Sequence, residues 1–438
     1  LGCKVNQTGS EALAACCRDQ SRLKSQGANG DAGVCIINSC AVTQKAEMQS
    51  RQAVRKAVRS HPHAAIVVTG CYAQRDPDAL AAIAGVDYVI GQADKHRIPE
   101  IIHAEKHVCS AADTAQCATG PKIRHTYISG YRRFDPMPAP AASARTRPFL
   151  KIQDGCDTFC TYCIVPYTRG RSRSLPLDQA VSAFRELLET GAPEIVLSGV
   201  HIGKYGTDLS PQTNLCSLLK TLDAIKGDHR IRLSSIEPTE LTDELLWMIR
   251  DSARICPHFH IPLQSGDPRI LKKMKRPYDP GLFSERVEKI RSLFPDAAIG
   301  ADVLIGFPGE DDTAFEQTRG LIDRLPVTYL HVFPYSPRPG TPAARFAGSV
   351  PQARIKQRCR TMRALGLEKK GRFYQTMIGK TMDLVIEETR TQNGGVAKGL
   401  SENYIPVYAE NAAGSQGLRT RCRITAAYSD QSLKGAAI

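Results

Sequence analysis

Short apolar runs alternate with amphipathic stretches along most of this chain. Val34-Cys35-Ile36-Ile37, Ala65-Ile66-Val67-Val68 and Val86-Asp87-Tyr88-Val89-Ile90 have strand length and strand composition, and helical spacing follows each. The alternation resumes with apolar runs at 149–152, 194–198, 231–236, 259–263, 299–305 and 329–333. Repeated strand–helix units predict parallel sheets, either open or curled into a barrel. Between the two series, from 107 to 147, periodicity fails and prolines gather, as in Met137-Pro138-Ala139-Pro140, which predicts a boundary. After Pro351, Ile355, Cys359 and Met362 fall at helical spacing. Short β runs at 381–386, 404–407 and 421–426, broken by turns such as Asn393-Gly394-Gly395, then predict a small β domain. The expected fold class is therefore α/β. It comprises an open parallel-sheet domain (1–104), a linker (105–147), a six-unit core (148–372) and a small β domain (373–438).

Candidate chemistry falls at the ends of these strands. Cys40 follows the run ending Ile37-Asn38-Ser39, and Cys71 follows Val67-Val68-Thr69-Gly70. Cys3 is expected to end a first strand, most of which would precede Leu1. The carboxyl ends of parallel strands share one sheet edge, so the three thiols should converge there. A second triplet, Cys156-x3-Cys160-x2-Cys163, follows the run at 149–152. Three thiolates so close together suit a soft metal or an iron–sulfur cluster. A zinc knuckle is the rival, but no fourth cysteine is local and His258 and His260 lie far along the chain. Cys16, Cys17 and Cys35 fall inside helix or strand patterns and read as packing residues, while Cys109 and Cys117 lack strand context and are not taken as ligands.

Charge adds a partner class. Lys and Arg number 58 against 44 Asp and Glu, a net +14, which favours an acidic macromolecule. Half of that excess sits between Pro351 and Arg372, with eight cations and one acid, whereas residues 373–438 carry seven basic and six acidic groups. Arg51, Arg55 and Arg59 lie four apart on one helical face, and Arg169, Arg171 and Arg173 alternate, which in an extended segment would form one phosphate-facing strip. No apolar run approaches the ~20 residues of a membrane span. Fifteen cysteines, an odd number, with no secretory leader point to a reducing, cytoplasmic setting.

With Tyr162 as its aromatic member, Cys156-x3-Cys160-x-Tyr162-Cys163 resembles the signature of radical S-adenosylmethionine (SAM) enzymes. The surroundings of the first triplet, Gly2-Cys3-Lys4-Val5-Asn6-Gln7, Asn38-Ser39-Cys40-Ala41-Val42-Thr43 and Thr69-Gly70-Cys71-Tyr72-Ala73-Gln74, resemble the auxiliary-cluster domain of methylthiotransferases. Glu402-Asn403-Tyr404-Ile405-Pro406-Val407 is similar to the TRAM module, a small RNA-binding β-barrel. The opening hexapeptide resembles the branch acting on N6-threonylcarbamoyladenosine at tRNA position 37. Other branches act on isopentenyladenosine or on a ribosomal-protein aspartate. A cluster-bearing RNA-binding protein without turnover is the non-enzymatic rival.

The resemblance implies a partial (β/α)6 barrel, two [4Fe-4S] clusters on Cys3/Cys40/Cys71 and Cys156/Cys160/Cys163, SAM as cofactor, a tRNA substrate and an external electron donor. It implies SAM contacts at Glu237, Gln264, Gly199 and Asp302. The alternation of Arg169, Arg171 and Arg173, and of Arg421 and Arg423, makes these five the candidate RNA contacts on their own pattern, with a plain surface strand as the rival for the first three. A general-base role for His201 is the weaker reading, because radical chemistry does not require one.

Overall fold

The computed structural model describes residues 2–19, 33–106, 120–136, 145–390, 396–412, 414–429 and 431–438. They fall into two compact units. One comprises Leu1–Ala141, Gln153–Leu175 and Ser336–Ala344; the other comprises Ala142–Ile152, Pro176–Tyr335 and Arg345–Ile438. Cys109, Cys117 and the turn at 393–395 lie outside the described residues.

The first unit is built on a parallel sheet of four strands in sequence order, Val34–Ser39, Ala65–Gly70, Tyr88–Ile90 and Lys122–Arg124. Ile66, Val68 and Val89 pack to one side with Ile37, Val54 and Leu80. Val67 and Ile90 pack to the other with Leu13, Ile98, Ile101 and Ile102. Burial of both faces explains why these strands read as unbroken apolar runs. The fourth strand lies in the stretch expected to be linker, and its side chains are exposed. Helix Gln44–Ser60 starts where the Thr43 side chain accepts from the Ala46 N–H, a Ser/Thr N-cap. Cys3 directly precedes helix Lys4–Asp19.

In the second unit all six expected strands form. Phe149–Lys151, Glu194–Ser198 and Arg230–Leu233 make one parallel sheet; His258–Gln264, Ala298–Ile305 and Tyr329–Pro334 make another. The Ile236 N–H donates to His260 O at 3.0 Å where the two sheets meet. Four of the intervening helices begin at side-chain caps, Asn214, Thr242, Asp279 and Asp311, each accepting from an N–H three residues on. A 24-residue helix, Gln352–Gln375, follows, burying Ile355, Cys359 and Met362. Thr381–Arg390, Val396–Ser401, Pro406–Glu410, Arg419–Ser429 and Ser432–Ala437 then close a five-stranded barrel around Leu384, Ile386, Val407, Ile424 and Leu433.

A buried ionic knot ties that barrel to the six-strand core. The Glu194 carboxylate is fully buried and receives Arg230 at 2.6 Å, Arg232 at 2.7 Å and Arg147 at 3.2 Å. The guanidiniums of Arg230 and Arg232 donate onward to the carbonyls of Asp383, Leu400, Ser401 and Glu402. Burial alone would raise the Glu194 pKa, but Arg232, Arg230 and Arg147 outweigh it and hold the carboxyl well below its usual range.

Candidate functional site

Both cysteine triplets lie in the first unit. Ser39 and Gly70 are paired in register, so Cys40 and Cys71, the next residues, leave adjacent strands side by side. Gly70 has φ +99°, and a Cβ there would stand 2.3 Å from Ser39 O. Gly2 has φ +98°, and a Cβ there would come within 3.1 Å of Cys40 Sγ, which brings the chain before Cys3 against Cys40. Asn6 Nδ2 donates to Ser39 O at 3.0 Å and Asn38 Nδ2 to Asn6 O at 2.8 Å, fixing helix Lys4–Asp19 to this edge. Gln92 Nε2 reaches Cys71 Sγ at 3.3 Å.

The second triplet sits on a tightly turned loop. Gly155 has φ +76°, and a Cβ there would stand 1.9 Å from Arg171 O. The Cys156 N–H donates to Gly170 O at 3.1 Å, the Cys163 N–H to Cys160 O at 3.0 Å, and the Thr158 N–H to Cys156 Sγ at 3.5 Å. Phe159 holds φ +48°, a strained value for a non-glycine residue. Its ring meets Tyr167 edge-on at 5.7 Å and lies 4.8 Å below the Arg171 guanidinium.

Arg169, six positions after Cys163, links the two triplets. Its Nη1 donates to Asp154 at 2.9 Å and its Nη2 to Asn6 Oδ1 at 2.5 Å. Burial opposes its charge, but Cys71, Asp154 and Cys3 outweigh burial and raise its pKa. Burial pushes the Cys40 thiol up to about 11, with Cys71 and Cys3 adding to the effect and Arg169 opposing it. A Cys40 thiol raised by burial and by two neighbouring thiols ionises only with further positive charge beside it, which iron supplies. Arg338 adds a second sign: it is 1 % exposed, it senses Cys40, and its Nε and Nη1 have no hydrogen-bond partner among the described residues. Such orphaned donors suit the sulfides of an iron–sulfur cluster. The residues at this edge therefore fit the group.

Arg338 also shows what sequence reasoning missed. The segment Ser336–Ala344, which follows the last core strand, packs within the first unit. There Arg338 pairs with Glu47, Ser336 Oγ accepts from the Gln44 N–H at 3.1 Å, and the Ala343 N–H donates to Thr161 O at 2.9 Å.

In the second unit the expected SAM contacts sit at or near the carboxyl edge of the strands. Gly199 follows strand Glu194–Ser198, and Glu237 begins a short turn after Arg230–Leu233. Gln264 ends its strand at φ +66°. Glu237 pairs with Arg276, an unforeseen partner; burial raises its pKa and Arg276 opposes the rise. His201 Nε2 lies 2.7 Å from Glu240. Asp302, register partner of Pro262 and His331, meets His260 Nε2 at 3.0 Å and His331 Nδ1 at 3.3 Å. Burial would raise its pKa, but the two imidazoles outweigh burial and lower it. The signal available in sequence was the alternation His258-x-His260 together with His331 on the last strand.

The arginine strip does not form as expected. Arg169 ends helix Val165–Arg169 and Arg173 enters the short strand Arg173–Ser174, so the segment is not one extended run. Arg169 and Arg173 are buried and only Arg171 is exposed, beside Asp157. Arg421 and Arg423 do share the outer face of their strand, as alternation requires.

Two family models match the chain: the Radical SAM superfamily over residues 150–322 and Uncharacterized protein family UPF0004 over residues 1–91. Threonylcarbamoyladenosine tRNA methylthiotransferase MtaB of Bacillus subtilis (strain 168) is 36% identical, over 93% of this chain and 88% of that protein. The protein of the same name from Rickettsia prowazekii is 39% identical, over 93% and 89%. A tRNA-2-methylthio-N(6)-dimethylallyladenosine synthase from Anaeromyxobacter is 32% identical, over 98% and 91%. Among solved structures, the radical S-adenosylmethionine methyltransferase TsrM from Kitasatospora setae aligns with a TM-score of 0.57 at 14% identity, over 76% of this chain and 73% of that one, a likeness of fold alone.

Proposed function

Because this chain belongs to the methylthiotransferase family of radical SAM enzymes, we propose that it converts N6-threonylcarbamoyladenosine at tRNA position 37 to its 2-methylthio derivative. The relatives named for that nucleoside share 35–39% identity with it, against 31–33% for the dimethylallyladenosine synthases. The observation that carries the reading is the presence of both cysteine triplets in one compact unit, linked through buried Arg169.

Cys156, Cys160 and Cys163 would hold one [4Fe-4S] cluster and Cys3, Cys40 and Cys71 the other; with SAM and an external electron donor they supply the radical and the sulfur needed at an aromatic C–H that offers no acid or base handle. The protein's own part is positional and electrostatic. Arg169 and Arg338 place two buried positive charges around the auxiliary thiolates. Gly2 and Gly70 take the positive-φ backbone that lets the segments before Cys3 and Cys71 pack against Cys40 and Ser39. Glu237 and Gln264 are the proposed acceptors and donors for SAM, Gly199 lets backbone approach it, and Asp302 is oriented by His260 and His331. Arg171, Arg421 and Arg423 are the exposed cations proposed to meet tRNA phosphates.

Cys71→Ala tests the division of labour. In reconstituted protein this variant should keep cleavage of SAM to 5′-deoxyadenosine, lose methylthiolation and lose one cluster's worth of iron. Loss of both activities in folded protein that still carries the Cys156/Cys160/Cys163 cluster would refute it.

A further inference from the structure

We propose that a cavity of about 430 Å³ in the second unit receives one nucleotide of the RNA strand, its phosphate between Arg363 and Lys370 and its base against the tyrosine rings of the wall. The inference rests on the tRNA reading above and adds a subsite to it.

The cavity runs beside Tyr329–Pro334, the last strand of its sheet, whose outer edge has no strand partner among the described residues. Helix Gln352–Gln375 forms the opposite wall. Arg363, Leu367, Lys370 and Tyr374 recur at three- and four-residue spacing and so lie in one stripe. Gly366 belongs to the same stripe, and a Cβ there would stand 3.1 Å from the Leu330 side chain, so its absence lets helix and strand close the floor. Tyr404 and Pro406 of the small barrel complete the enclosure.

The chemistry of the wall selects the ligand. Among the described residues it carries Arg363, Lys370 and His331 and no carboxylate. Arg363 Nη2 is steadied by Val332 O at 3.2 Å, and the Lys370 ammonium lies 5.4 Å over the Tyr374 ring. Tyr329 and Tyr404 stand 6.4 Å apart, and the Tyr404 ring is held by stacking on His258 at 4.4 Å. Cations beside fixed aromatic faces are the elements that bind single-stranded RNA, the first through phosphate and the second through the base. The volume falls at the small end of ligand sites, which suits one nucleotide and excludes a duplex. Lys356, Arg360 and Arg363 are exposed on the same helix, whereas Arg354, Arg358 and Arg372 pair with Asp312, Glu310 and Glu368, so the helix adds a modest positive field around the cavity. The outward arginines 421 and 423 of the small barrel do not line the cavity, so the subsite is independent of them.

The test uses cluster-reconstituted full-length protein and a fluorescent tRNA anticodon stem–loop carrying threonylcarbamoyladenosine, titrated at several salt concentrations. Arg363→Ala with Lys370→Ala should weaken binding on the order of tenfold and lower the salt slope by about 0.7 for each phosphate no longer neutralised. Iron content and RNA-independent SAM cleavage should match wild type. Arg363→Lys with Lys370→Arg should restore both affinity and slope. Unchanged affinity and slope in the alanine variant, with wild type binding and modifying the stem–loop, would overturn this inference alone. If wild type neither binds nor modifies the stem–loop, the tRNA reading falls and the subsite with it.

Discussion

Glu194→Gln removes one negative charge from the centre of three arginines and leaves their side chains in place. Glu194 is fully buried, and the side chains of Arg230 and Arg232 are 3% and 1% exposed, so water cannot replace the missing charge. Breaking a buried ion pair from one side costs about 3–5 kcal/mol. That cost falls on the attachment of the small barrel, because the same guanidiniums hold the carbonyls of Asp383, Leu400, Ser401 and Glu402. At about 1.4 kcal/mol per power of ten, amide hydrogen-exchange protection in Thr381–Arg390 and Val396–Ser401 should fall by about two to four orders of magnitude. Strand Ala65–Gly70 in the other unit should keep its protection. The sign of the pH dependence also follows. A carboxyl whose folded pKa is depressed contributes its full stabilisation above the unfolded value of about 4.3 and loses it only as pH falls through the folded pKa, so protection at this junction should not change between about pH 7 and 5 from this group. Unchanged exchange in the variant, or an equal loss in both units, would show that the Glu194 cluster does not hold the small barrel in place.

Two further substitutions probe the cluster edges. Arg169→Gln deletes a buried charge facing Cys71 and Cys3, so the midpoint potential of the auxiliary cluster should drop on the order of 100 mV at an effective dielectric of about 20, and redox titration followed by EPR reads it. Gly155→Ala would set a Cβ 1.9 Å from Arg171 O, and reconstitution should yield protein with roughly half the wild-type iron while Cys3, Cys40 and Cys71 still load.

Much of this architecture was legible because its chemistry allows few substitutes. Cys40 and Cys71 just past strand ends and the spacing Cys156-x3-Cys160-x2-Cys163 announce metal sites, while Cys3 directly precedes a helix where a strand end is expected, and runs such as Ile66-Val67-Val68 are buried on both faces. What escaped reading depends on partners distant in sequence. Arg230 and Arg232 look like the polar members of a strand, yet both are buried, because Glu194 lies beside them and four carbonyls more than 150 positions away accept their protons. Arg169 resembles a surface cation until Asp154 and Asn6 are seen to enclose it. Strand Lys122–Arg124 has only three residues, all exposed, too few for a period; it joins its sheet by backbone pairing, with Lys122 over the Tyr88 ring. Ser336–Ala344 reads as a strand-end loop, and only its contacts with Glu47, Gln44 and Thr161 show which unit it serves.

The two cysteine triplets of this chain are proposed to act together in inserting a methylthio group at C2 of threonylcarbamoyladenosine in tRNA. The most direct measurement is nucleoside mass spectrometry of tRNA incubated anaerobically with reconstituted protein, SAM, a reductant and a sulfide source. The expected product is 2-methylthio-N6-threonylcarbamoyladenosine, formed only when both triplets are loaded. SAM cleavage without that product, or methylthiolation of isopentenyladenosine in its place, would contradict this proposal.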